Sequence, residues 1–185
     1  MARCCSRAIL TVLLAVFATT VAAQVPAQAG PLRLVLECSQ ASELTFRFTV
    51  QNVSAAPTAA VIGTILGNDQ KYLPDHLEMT VRRAGVSDTN LKYSVGGVVG
   101  GRLDPWLVAL PAGASYSVAV PARYFRLGTR LAQEPFVVPA ELQLRLTTRE
   151  VGKPQNDLQG LSFIHVWVGT LTSDWIQFPK DCRPG

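Results

Sequence analysis

Between Ile164 and Phe178 the chain reads IHVWVGTLTSDWIQF, a short run near its C-terminal end that holds His165, Trp167, Asp174 and Trp175. Two chemistries can be built from these residue types. A flat indole on a surface stacks against a sugar ring or a base, so Trp167 and Trp175, with His165 beside them, form a candidate ligand platform. His165 and Asp174 could instead act as the acid/base pair of a small hydrolase. In a strand, Trp167 shares a face with Phe163 and His165, whereas Ile164, Val166 and Val168 share the other. Both faces of that strand are then largely apolar, as in a central strand or in a strand with one binding face. The third tryptophan, Trp106, lies among apolar neighbours in DPWLVAL and is expected in the core; Tyr72, Tyr93 and Tyr124 are secondary stacking candidates.

Other constellations are sparse. There are two histidines, far apart in sequence, whereas a metal centre needs clustered ligands. In a strand His76 and Glu78 would share one face with Asp75 nearby, a three-ligand patch at best and otherwise an exposed polar face. Neither histidine stands in a G-x-S-x-G or H-E-x-x-H setting. The glycine-rich GGVVGG, residues 96–101, lacks the Lys-Ser or Lys-Thr and the following helix that a phosphate-binding loop requires. The expectation is a non-enzymatic protein without a cofactor. Asn52-Val53-Ser54 is a formal N-glycosylation acceptor in a turn. Arg123, Arg126 and Arg130 in PARYFRLGTRL are unopposed until Glu134, a candidate anion patch whose plainer reading is a solvated loop.

The first residues place these groups in a compartment. Arg3 and Arg7 precede an apolar run, and Val21 and Ala23 stand three residues and one residue before a cut after Ala23, the three-part pattern of a secretory signal peptide. Residues 1–23 are therefore expected to be removed, giving a secreted or periplasmic protein with no membrane span. Fifteen basic residues then face thirteen acidic ones, a balance that points away from nucleic acid. Only Cys38 and Cys182 would remain, and an even pair in an oxidising compartment predicts a disulfide across the domain. Residues 24–31 read as a flexible linker and residues 32–182 as one domain.

The elements that must position all this are strands. In ELTFRFTVQ, Leu44, Phe46, Phe48 and Val50 alternate with polar residues, the pattern of a half-buried strand. ASYSVAVP and ELQLRLTT alternate in the same way, and LRLVLE, TAAVIGTIL, LKYSV, WLVAL, SFIHVWV and SDWIQF read as further strands. Residues 74–84 carry helix signals in Pro74, Asp75 and Gly85, yet Leu77, Met79 and Val81 alternate with Glu78, Thr80 and Arg82. The strand is preferred because every neighbour is β. Turn residues between the runs predict a sandwich or barrel of about eight or nine strands.

Three segments carry a resemblance. FTVQNVSAAP, LPAGASYSVAV and WVGTLTSDWIQF resemble strand-turn and closing-hairpin patterns of bacterial secreted immunoglobulin-like modules. The mid-chain cysteine pair of antibody domains is absent, and the domain is longer than a minimal one. The resemblance implies a single antiparallel immunoglobulin-like β-sandwich acting as a binding module for an unknown protein or carbohydrate ligand. Binding would use end loops, GNDQKY and the arginine loop, or an exposed strand edge. A peptidase inhibitor presenting Leu127 to Val138, and the small hydrolase, are the alternatives.

Overall fold

The structure is a computed structural model and describes residues 30–40, 42–66, 71–95, 103–127, 136, 139–150 and 166–184. The expected signal peptide, most of the expected linker, His165, Arg130 and the glycine-rich run at 96–101 lie outside the described residues.

The chain is all-β. Alternation builds the first two strands: β1 (Leu32–Gln40) buries Leu32, Leu34, Leu36 and Cys38, and β2 (Leu44–Asn52) buries Phe46, Phe48 and Val50. In β3 (Thr58–Leu66) six consecutive residues, Thr58 to Gly63, are buried, so this part of the strand is covered on both faces. β4 (Lys71–Pro74) and β5 (Leu77–Arg83) follow, and β5 buries Leu77, Met79 and Val81 as strand alternation requires. Then come β6 (Val86–Tyr93), β7 (Leu103–Leu110), β8 (Ser115–Pro121), a 3₁₀ turn at Ala122–Tyr124 and β9 (Phe125–Arg126). β10 (Ala140–Thr148) buries every second residue from Ala140 to Thr148. The chain closes with β11 (Val166–Trp167), β12 (Gly169–Thr172), β13 (Ile176–Phe178) and β14 (Arg183–Pro184).

Three sheets result. The first has the order β14-β1-β2-β8; the second β12-β10-β5-β6-β9, with β13 also on β10; the third β11-β3-β4, with β7 on the other side of β3. One core joins all three through Leu34, Phe46, Phe48, Ile62, Met79, Trp106, Leu142 and Leu146. Most ladders are antiparallel, but β1 pairs with β14 and β3 with β11 in parallel. The sheets are thus mixed, against the expectation of a purely antiparallel arrangement. Fourteen strands occur among the described residues, more than eight or nine, because several runs that look continuous in sequence break where they pass from one sheet to another.

Two such breaks position the site discussed below. The run from Lys71 to Arg83 leaves the third sheet as β4 and enters the second as β5, turning at His76 with φ 57°. The run from Val166 to Thr172 makes the same transfer at Val168. Thr148, buried at the end of β10, fastens that second break: its Oγ1 is 3.1 and 3.2 Å from the carbonyl oxygens of Trp167 and Gly169 and accepts from the Gly169 amide at 3.0 Å. Glycine at 63 allows β4 to lie close against β3. A Cβ there would fall 2.8 Å from Cα of Pro74 and inside the contact radius of the Leu73 carbonyl oxygen. Backbone cannot rotate aside as a side chain does, so Gly63→Ala is expected to cost roughly 1–3 kcal/mol. A urea titration with an unchanged midpoint would show that β4 shifts freely.

The cysteines meet as expected. Cys38 and Cys182 form a disulfide with a Cα–Cα distance of 4.6 Å, closing the domain between β1 and the turn before β14.

Candidate functional site

The bend between β4 and β5 brings together side chains that are distant in sequence. Asp75 and His76 form the bend, Thr64 comes from β3, Asp104 and Pro105 from β7, and Arg149 and Glu150 follow β10 directly. With Leu103 they line a cleft of about 600 Å³. Thr64 Oγ1 donates a short hydrogen bond to Asp75 Oδ2 and accepts one from Arg149 Nη2 at 3.0 Å. The same Arg149 nitrogen lies 3.4 Å from Asp75 Oδ2, and His76 Nε2 lies 3.8 Å from Asp75 Oδ1. One guanidinium nitrogen is thus occupied by a hydroxyl and a carboxylate, and the Arg149 side chain, 46% exposed, is oriented without being covered. The Thr147 amide donates to the His76 carbonyl at 3.2 Å and ties the end of β10 to the bend, which sets where Arg149 begins.

The lining thus combines the carboxylates of Asp75, Asp104 and Glu150 with the Arg149 guanidinium and adds the apolar side chains of Leu103 and Pro105. Such a surface can exchange hydrogen bonds with a ligand that both donates and accepts. Glu78 does not join Asp75 and His76: it pairs with Arg145 across β10 and with Lys92 Nζ at 3.8 Å. No group of three His, Cys, Asp or Glu side chains placed to hold a metal ion occurs among the described residues.

The residues singled out in the sequence are dispersed. Trp106 is in the core at 6% exposure, edge-on to Tyr72 and Tyr116. Trp167 is half-buried against the core, its indole close to Gly30 and Gly169. Trp175 is half-buried beneath the Arg82 guanidinium, 4.0 Å from the ring centroid, so that ring face is occupied by the protein's own cation. Arg82 in turn donates to both oxygens of Asp88 at 3.2 and 3.0 Å and lies 3.7 Å from Glu141. The Asp88 hydrogen bond raises the Arg82 pKa further. A shallower cavity of about 390 Å³ beside Arg82, Glu141 and Gln177 is therefore bordered by groups already satisfied by one another. Asp174 pairs with Arg33 at 3.2 Å.

Of the arginine patch, Arg123 is bonded to Glu43 and stacked over Tyr124 at 4.9 Å, so its charge is locally offset. The Nε of Arg126 is buried and makes no hydrogen bond among the described residues. Nearby, burial pushes the Tyr93 hydroxyl up to about 12, with Tyr124 adding to the shift. Of the inhibitor loop, Leu127 and Phe136 are described. Asn52 is 2% exposed and its Nδ2 is spent on three carbonyls, so the acceptor tripeptide offers no free amide in the folded protein.

The fold and cleft define an all-β, disulfide-closed domain with a polar cleft where two sheets exchange strands. Comparison with models of known protein families gives no match, and comparison with curated proteins gives none either.

Proposed function

We propose that this is an exported, non-enzymatic binding module of the immunoglobulin-like sandwich kind, and that its cleft takes a neutral polyhydroxyl ligand, a segment of a glycan. The observation that carries this reading is Arg149, a lining residue of the cleft that Thr64 and Asp75 hold in place through one nitrogen while its side chain stays 46% exposed. A sugar's vicinal hydroxyls both donate and accept, which suits a wall combining one oriented cation with carboxylates. An anionic ligand suits it less, because the carboxylates of Asp75, Asp104 and Glu150 outnumber the Arg149 guanidinium. The Leu103 and Pro105 side chains supply a surface for the C–H face of a sugar ring. Export is supported by the signal-like leader and by a disulfide of the type that persists outside the reducing cytoplasm.

Affinity electrophoresis through gels containing single neutral polysaccharides tests this reading. The expected result is retardation by at least one of them. Loss of a charge-assisted donor costs about 1.5–3 kcal/mol, so Arg149→Met should weaken that retardation roughly ten- to a hundredfold with its near-ultraviolet circular dichroism unchanged. Free migration through every gel, or equal retardation of Arg149→Met, would remove the proposal.

A further inference from the structure

The first sheet ends on β8, and among the described residues no strand pairs with its outer side. An open edge is a template for another chain, and soluble proteins blunt such edges with charges, prolines or bulges. Two other outer strands follow that rule: β4 carries Lys71 and Pro74, and β7 carries Asp104 and Pro105. β8, SYSVAVP, has no charge at any of its seven positions, and its proline is the last of them.

The hydrogen-bond alternation identifies which groups face outward. The Asn52 amide donates to the Ala114 carbonyl at 2.8 Å, and β2 pairs with β8 in the register Gln51 to Ser115 and Val50 to Tyr116. Antiparallel bonds alternate along a strand. Tyr116, Val118 and Val120 therefore spend their backbone groups on β2, and Ser115, Ser117 and Ala119 turn theirs to the open side. Those three residues are exposed. Their side chains lie on the outer face, whereas Tyr116, 38% exposed, and Val118 lie on the inner face against the core cluster.

A strand added here needs small neutral residues at every second position, apolar ones between them, and no charge to desolvate. β8 itself has that pattern. We propose that the occupant of this edge is β8 of a second copy of the chain, paired antiparallel about a two-fold axis at Ser117. This register sets Ser117 opposite Ser117 of the second copy and Ser115 opposite Ala119, with about six N–H···O bonds between the outward-facing residues. On the inner face it places Tyr116 beside Val118 of the second copy, a favourable aromatic and β-branched pair. Pro121, which has no amide hydrogen to give, stays outside the ladder. Moving the axis to Val118 would set Pro121 opposite Ser115 and lose bonds at both ends. The two four-stranded sheets then become one of eight strands.

Sedimentation equilibrium of the exported protein across a wide range of concentrations tests this. Wild type is expected to reach twice the chain mass. Ser117→Lys, which sets two ammonium groups face to face at the axis on an exposed position, should remain at the chain mass with unchanged near-ultraviolet circular dichroism. A wild type that stays at the chain mass throughout, or a dimer untouched by Ser117→Lys, overturns the proposal. Should the variant not fold, amide hydrogen exchange on wild type decides. Ser115, Ser117 and Ala119 amides that slow with rising concentration support pairing at β8, and rapid exchange at every concentration rules it out.

Discussion

Asn52→Asp is expected to destabilise the domain by roughly 3–5 kcal/mol at neutral pH, the scale of an uncompensated buried charge. Asn52 ends β2 and is 2% exposed. Its Nδ2 donates to the carbonyls of Ala56 at 2.8 Å, Leu110 at 2.9 Å and Pro111 at 3.1 Å. Its Oδ1 accepts from the Ser54 amide at 3.0 Å and the Ser54 hydroxyl at 2.8 Å. One side chain thus fastens the turn after β2 to the end of β7 and the turn that follows it. Aspartate has nearly the same shape but sets a second oxygen against three carbonyl oxygens. The carboxyl would be held protonated in the folded state, with its pKa raised above the unfolded value of about 3.9. The sign follows from proton binding. The folded variant holds a proton that the unfolded chain releases, so its stability falls as pH rises above about 4 and stops falling beyond the raised folded pKa. Urea midpoints at pH 4 and pH 7 read this directly, with the gap to wild type wider at pH 7. Equal gaps at both would mean that the carboxylate reaches water.

Replacing Cys38 and Cys182 together by alanine is the second large effect. The disulfide closes a loop spanning 144 residues, and removing such a link typically costs about 2–5 kcal/mol. Little else holds the C-terminal end to the first sheet: β14 pairs with β1 at two positions only, Ser39 with Arg183 and Gln40 with Pro184, aided by the Arg183–Glu37 ion pair at 2.7 Å. The double variant should therefore melt well below wild type, with the amides of residues 182 and 183 exchanging freely. A variant that melts with wild type would assign the closure to the strand pairing instead.

The parts of this protein that its sequence determines alone are those written in local periodicity. The alternation in β1, β2, β5 and β10 names their buried faces residue by residue, because a strand has only two faces and water sorts side chains between them. The same pattern resolved the segment from Leu77 to Arg83 as a strand despite its helix-like ends. Cys38 and Cys182, the pair expected to remain once residues 1–23 are removed, are bonded to each other, and Trp106 among apolar neighbours lies in the core.

Periodicity carries no information about which strand lies beside which. The parallel pairings of β11 and β14, and the transfers between sheets at His76 and Val168, came from the tertiary structure. So did the cleft, since Thr64, Asp75, Asp104 and Arg149 come from four separate segments and meet only where β4 gives way to β5. The Arg82 guanidinium over Trp175 is equally invisible in the run IHVWVGTLTSDWIQF, because it comes from β5, more than ninety residues earlier. The physical reason is common to these cases. Apolar burial is non-directional and records only inside or outside, whereas hydrogen bonds and ion pairs are directional and form only once the burial of many strands has fixed their partners in place.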